Sequence, residues 1–276
     1  MFGCRSSGLA CAHFSLVAVL SSVFAFGSPI AKYRRLARSV ETHPNISSAI
    51  LRGFQVAIIA EERHPHTTKG YIDMDMKKMK LKEFSDKLGS SDPFPGGGGA
   101  SALAASLAAS LGCMVGSLTV GKEKYADVEE DMKAMTADMK ELSESLLECI
   151  SKDAEMFAPL AEAYGMPKDE PGRDEILEKC LRDAAATPFE IMELCCKVTE
   201  LLEEFAEKGS KLVVSDAATG AALCRGALLG AAVNVKVNTR LMKDRTYAED
   251  TDAKADAMIE EYAGRAEKVF NDYYDK

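Results

Sequence analysis

The sequence predicts an all-α protein: a single multi-helix bundle domain with closely packed small-residue helices at its centre. Three observations lead there. From residue 79 onward apolar residues recur at helical spacing almost without interruption. No Pro falls between residues 96 and 158 or after 188. Strand-like runs are confined to 212–214 and 233–237, and the second lies inside a helical pattern.

In chain order, helices are expected at about 80–89, 97–121, 123–164 (bent near Pro159), 172–186, 188–208, 214–242 and 249–273. Gly165-Met166-Pro167, Pro171-Gly172 and Lys208-Gly209-Ser210 supply breaks between them. The helix from 97 carries two adjacent rows at i+4 spacing. One is Gly96, Ala100, Ala104, Ala108, Gly112 and Gly116; the other is Gly97, Ser101, Ala105, Ala109, Cys113 and Ser117. No side chain on either row exceeds Cys, so another backbone can approach closely and this helix belongs at the centre. In a membrane the same rows would serve a GxxxG contact, but the neighbouring helices are acidic and amphipathic. The helix from 214 carries Ala218, Ala222, Gly226, Gly230, Asn234 and Asn238 in one row. Its two carboxamides continue a small-residue face, so they are expected at a close helix contact. There they either fix register by an interhelical hydrogen bond or line a polar pocket.

Composition narrows the chemistry. The 276 residues include 34 Lys+Arg, 43 Asp+Glu, 8 Cys and no Trp, for a net charge of −9. All four His (His13, His43, His64 and His66) precede residue 76, which leaves 76–276 without the base of a Ser-His-Asp or Cys-His site and without a His zinc ligand. Residues 76–276 hold 26 basic and 38 acidic side chains, and no basic stripe suited to nucleic acid. Cys113, Cys149, Cys180, Cys195, Cys196 and Cys224 form no CxxC pair and fit buried free thiols of a reducing compartment, hence a cytoplasmic protein.

Residues 1–75 read differently, as an extension. No charged side chain lies between residues 6 and 31, and 14–26 is an apolar run of signal-peptide length. It reads as an organelle or secretory leader, as a membrane anchor, or as a gene-model extension upstream of a start at Met74, Met76 or Met79. The last is favoured, because the periodic pattern begins abruptly at Met79. The domain proper is expected to span 76–276.

Two features could carry chemistry. Asp92-Pro93-Phe94-Pro95 leads into Gly96, Gly97, Gly98 and Gly99, whose unobstructed N–H groups at a helix start suit an anion or carbonyl, or simply close packing. Asp153 has Leu146, Cys149, Ile150, Met156, Phe157 and Leu160 around it on one helix face. A carboxylate inside an apolar stripe is desolvated, which raises its pKa and suits general acid–base work, unless a cap or an ion pair satisfies it. Asp216 stands near a helix start, either as a first-turn acid or as a site residue.

Together these landmarks resemble the cyclodeaminase/cyclohydrolase family of folate enzymes. The matching residues are Pro95 to Ser101, Leu111 to Gly121, Asp153-Ala154-Glu155-Met156-Phe157, Ser215-Asp216, and Asn234 to Asn238, in family order. Family members carry Ser directly after the Gly run, whereas here Gly99 and Ala100 intervene. The resemblance implies interconversion of 5,10-methenyltetrahydrofolate with 10-formyltetrahydrofolate, or its formation from 5-formiminotetrahydrofolate with release of ammonia. It also implies Asp153 as the acid/base, a homodimer, and a folate substrate with no metal or other cofactor. Gly96 to Gly99, Asp216, Asn234 and Asn238 would then position the folate. Lys122, Arg225, Lys236 and Arg240 would supply positive charge for its glutamate tail. A non-catalytic helical oligomer or interaction scaffold is the alternative, but it gives no reason for a carboxylate in the middle of an apolar stripe.

Overall fold

A computed structural model describes residues 75–275; the expected extension, with its leader, anchor and start-site readings, lies outside them apart from Asp75. Its helices are α1 (Leu81–Leu88), α2 (Gly97–Ser117), α3 (Glu129–Tyr164), α4 (Arg173–Lys208), α5 (Val214–Thr239), α6 (Arg245–Met258) and α7 (Gly264–Tyr274). A 3-10 stretch, Glu123–Val128, leads into α3, and a π-helical turn, Ile259–Ala263, joins α6 to α7. Among the described residues there is no strand.

The largest departure from the sequence pattern is α4. Pro188 was expected to separate two helices, yet α4 runs through it. A proline there has no N–H for the carbonyl four residues back. That carbonyl belongs to Ala184, and Asn238 of α5 donates to it from Nδ2 at 3.3 Å. A neighbouring helix therefore supplies the bond the proline removes, which no local pattern can reveal. The last helical region also starts earlier than expected, at Arg245, because the Asp244 carboxylate caps α6 by accepting the Tyr247 N–H at 3.0 Å. At the other end of the described chain, Met76 is buried and its N–H donates to Ser151 Oγ at 3.1 Å. The packed body thus begins before Met79.

Helix α2 packs against α3, α4 and α5. Its small residues set the directions. Gly97 faces Asn234, Ser101 faces Gly230, and the Ala108 carbonyl faces Gly220, so α2 and α5 run antiparallel at close range. Gly112 and Gly116 lie under Leu202 and Phe205, so α4 runs parallel to α2. Gly112 meets Met139, Gly116 meets Thr136, and Ser106 Oγ lies 2.9 Å from Ser143 Oγ, so α3 is antiparallel. The expected row on α5 is split: Gly230, Asn234 and Asn238 pack inward, while Ala222 and Gly226 are exposed. Its inner face is Gly220, Cys224, Ala227 and Ala231 instead. By length and composition α2 and α5 could each cross a bilayer, but about half of each is buried within the bundle. The six cysteines of the described residues are free thiols, five of them buried and Cys113 half-buried.

Candidate active site

The N-terminus of α2 brings the site together. The first N–H groups of a helix have no carbonyl partner within it. Here Gly99 N–H donates to Asp153 Oδ2 at 3.1 Å. A Cβ on Gly98 would overlap the Asp153 carboxylate, and one on Gly97 would stand 2.9 Å from Asn234 Nδ2. A methyl at either position would displace a polar side chain, because α3 and α5 press Asp153 and Asn234 onto the backbone of α2. Pro95 and Ile150 close over Gly99, and Phe94 meets Phe157 edge-on with ring centroids 5.8 Å apart. Gly97 is exposed, while Asp153 and Asn234 are half-buried, so the site has a mouth.

The electrostatics of Asp153 are decided by competition. Burial among Ile150, Phe157 and the glycine turn raises its pKa; the Gly99 N–H lowers it. Burial wins, and the carboxyl is pushed up to about 6. Its neighbour Lys152 pairs with Glu190 of α4, pointing away from it and fixing the register of α3 against α4.

The two asparagines divide. Asn238 is buried and donates to the Ala184 and Asn234 carbonyls, an interhelical bond that satisfies the backbone opened by Pro188. Asn234 donates to Gly230 O at 2.8 Å, with its carboxamide against Gly97. Ser101 Oγ donates to Gly97 O at 2.8 Å.

Two expected site residues lie elsewhere in the chain's own fold. Asp216 sits in the first turn of α5, about 27 Å along that helix from Asn234 at ~1.5 Å per residue. Lys122 follows the far end of α2, where its Nζ lies 3.1 Å from Ser210 Oγ. For Lys122 the length of α2 itself sets the separation; for Asp216 it is the antiparallel pairing, which sends the N-terminal end of α2 and that of α5 to opposite ends of the bundle. Lys236 is tied to Asp252 and Asp256 at 3.4 and 2.9 Å, and Arg225 faces Glu267 at 3.7 Å. Thr187 fell between the two helices expected at 172–186 and 188–208 and is buried on the single helix α4. Its neighbour Pro188 read as a helix break, and that hid the face to which Thr187 belongs.

A small-residue helix whose glycine start holds a half-buried carboxyl is the feature to compare with known proteins. The sequence pattern described as formiminotransferase-cyclodeaminase matches residues 80–257. A methenyltetrahydrofolate cyclohydrolase of Methylorubrum extorquens is 34% identical over 194 residues, covering 69% of this chain and 93% of that protein. The formimidoyltransferase-cyclodeaminase of Mus musculus is 30% identical over 193 residues, covering 68% of this chain but 36% of the longer mouse protein. The crystal structure of a formiminotetrahydrofolate cyclodeaminase from Thermotoga maritima superimposes with a TM-score of 0.63 at 30% identity, covering 71% of this chain and 98% of that one. The chain belongs to the formiminotransferase-cyclodeaminase family. Its class is that of the folate cyclohydrolases and cyclodeaminases.

Proposed function

We propose that the protein interconverts 5,10-methenyltetrahydrofolate with 10-formyltetrahydrofolate, or makes the methenyl form from 5-formiminotetrahydrofolate with release of ammonia, with Asp153 as general acid/base. The observation that carries this is a carboxyl with its pKa raised to about 6, held at an open, glycine-built helix start. A group with that pKa is ionised at neutral pH yet readily protonated.

Both directions pass through a tetrahedral carbon between two nitrogens. In hydrolysis, water adds to the amidinium carbon and Asp153 takes one of its protons; that proton goes to N5 as the C–N5 bond opens, and the remaining hydroxyl proton leaves to solvent as the formyl C=O forms. In the deamination, N10 adds to the formimino carbon, Asp153 takes the N10 proton, and the proton goes to the departing ammonia. Gly97 and Asn234 hold the substrate beside the carboxyl. These steps use proton transfers alone, so the reading requires neither metal nor further cofactor.

A homodimer accompanies this reading. Leu107 and Met114 on α2, Leu118 just after it, and Leu223, Val233 and Val237 on α5 are exposed. They form an exposed apolar row on a chain of net charge −9. Two acidic copies repel least through such a face. Free thiols support a reducing, cytoplasmic location.

The test is an absorbance assay of methenyltetrahydrofolate, corrected for spontaneous hydrolysis, run beside ammonia release from 5-formiminotetrahydrofolate. Turnover of either substrate that Asp153→Asn abolishes, with folate binding retained, supports the reading. Near-normal turnover by that variant, or no turnover by the wild type, refutes it.

A further inference from the structure

Thr187 is fully buried, and its hydroxyl has no hydrogen-bond partner. Leaving a hydroxyl so is costly, and native structures keep few. Helical threonines ordinarily turn the hydroxyl back to the carbonyl four residues earlier. Thr136, Thr199, Thr219 and Thr251 all do so here, at 2.6 to 2.9 Å. Thr187 does not, and its oxygen is left for something outside its own helix.

Three fixed points locate that oxygen. Thr187 precedes Phe205 by about five whole helical turns at 3.6 residues each, so both lie on one face of α4. Phe205 rests on Gly116 of α2, and five turns back along the parallel α2 is Gly98, against which Asp153 lies. From the α3 side, Glu190, one turn after Thr187, pairs with Lys152, the neighbour of Asp153. From the α5 side, Ala184, one turn before Thr187, receives Asn238, and Asn234 is the next turn of that helix. All three helices place Thr187 at the level of Gly98 and Asp153.

We propose that the Thr187 hydroxyl is a further polar contact for the reacting end of the bound folate, at the level of Gly98 and alongside Asp153 and Asn234. A hydroxyl both donates and accepts. It can accept from an adding water or N10–H and donate to the departing nitrogen without a fixed charge. This assignment rests on the folate reading above.

The experiment uses Thr187→Val, which keeps shape and removes the hydroxyl, and Thr187→Ser, which keeps the hydroxyl. For each full-length variant kcat and KM are measured on both folates, and the thermal midpoint is measured without ligand. The expected result is about a tenfold or larger loss of kcat/KM in Thr187→Val, with Thr187→Ser within about threefold of wild type. Ligand-free Thr187→Val should melt at or above the wild-type temperature, since an unsatisfied buried hydroxyl has become a methyl group. Equal activity of Thr187→Val and wild type overturns the assignment while leaving the folate reading intact. Loss of stability and activity together in both variants also overturns it, in favour of packing. A wild type inert toward both folates overturns the folate reading and this assignment with it.

Discussion

The two ends of α2 use the same device for opposite purposes. At its C-terminal end Gly112 and Gly116 admit Met139, Leu202, Phe205 and Thr136, and the contact is mostly apolar and closed. At its N-terminal end Gly97 and Gly98 admit the carboxamide of Asn234 and the carboxylate of Asp153, and the contact is polar and open to solvent at Gly97. A glycine removes the same volume at either end; what fills the space decides whether it stabilises or reacts. The apolar end gains dispersion and burial. The polar end places a desolvated carboxyl where the backbone N–H groups lack helical partners, which costs stability and leaves a group able to move protons.

That contrast can be broken most sharply at its reactive centre. Asp153→Asn should lower kcat by about 10² to 10⁴, the usual worth of a general acid–base group, with circular dichroism unchanged. Next, alanine at the two ends should separate activity from stability. Gly98→Ala pushes its methyl into the Asp153 carboxylate and should cost about 10²-fold in kcat through misplacement, with a modest change in melting. Gly116→Ala pushes into Thr136 and Phe205 and should cost about 1–3 kcal/mol in urea unfolding, while the folded fraction keeps its specific activity. If both variants lose stability alike and neither loses specific activity, the two ends are not different.

Smaller effects sharpen the polar end. Asn238→Ala removes the donor that satisfies the Ala184 carbonyl and should cost about 1–3 kcal/mol of stability. It should do little in a background where Pro188→Ala restores the intrahelical N–H, and the double-mutant cycle reads that coupling. The smallest effect is in pH. Because the folded pKa of Asp153 is raised to about 6, the native state holds its proton more tightly than the unfolded chain does. The group therefore favours folding below about pH 4, and that contribution is lost as pH rises through about 6. Asp153→Asn should melt higher than wild type above pH 7, by a margin that shrinks as the pH falls toward 4. If the carboxylate acts as the base, kcat in the wild type should rise with pH through about 6 and then level.

Much of this was legible in the chain as letters. The 3.6-residue apolar period and the scarcity of Pro from Met79 onward determined an all-α bundle, because helix faces must be buried in pairs. The Cys-or-smaller rows of α2 determined that it lies at the centre, since only such rows admit a neighbouring backbone. The six residues around Asp153 marked it as desolvated, because its own helix supplies them. Tertiary structure alone decided the rest. The antiparallel pairing of α2 and α5 carries Asp216 to the end away from Asp153, and pairing direction is a property of two helices, absent from either sequence segment. Likewise, Pro188 continues a helix because Asn238 donates to Ala184 across an interface. A backbone group left open by one segment can be satisfied by a side chain many residues away, and only packing brings the two together.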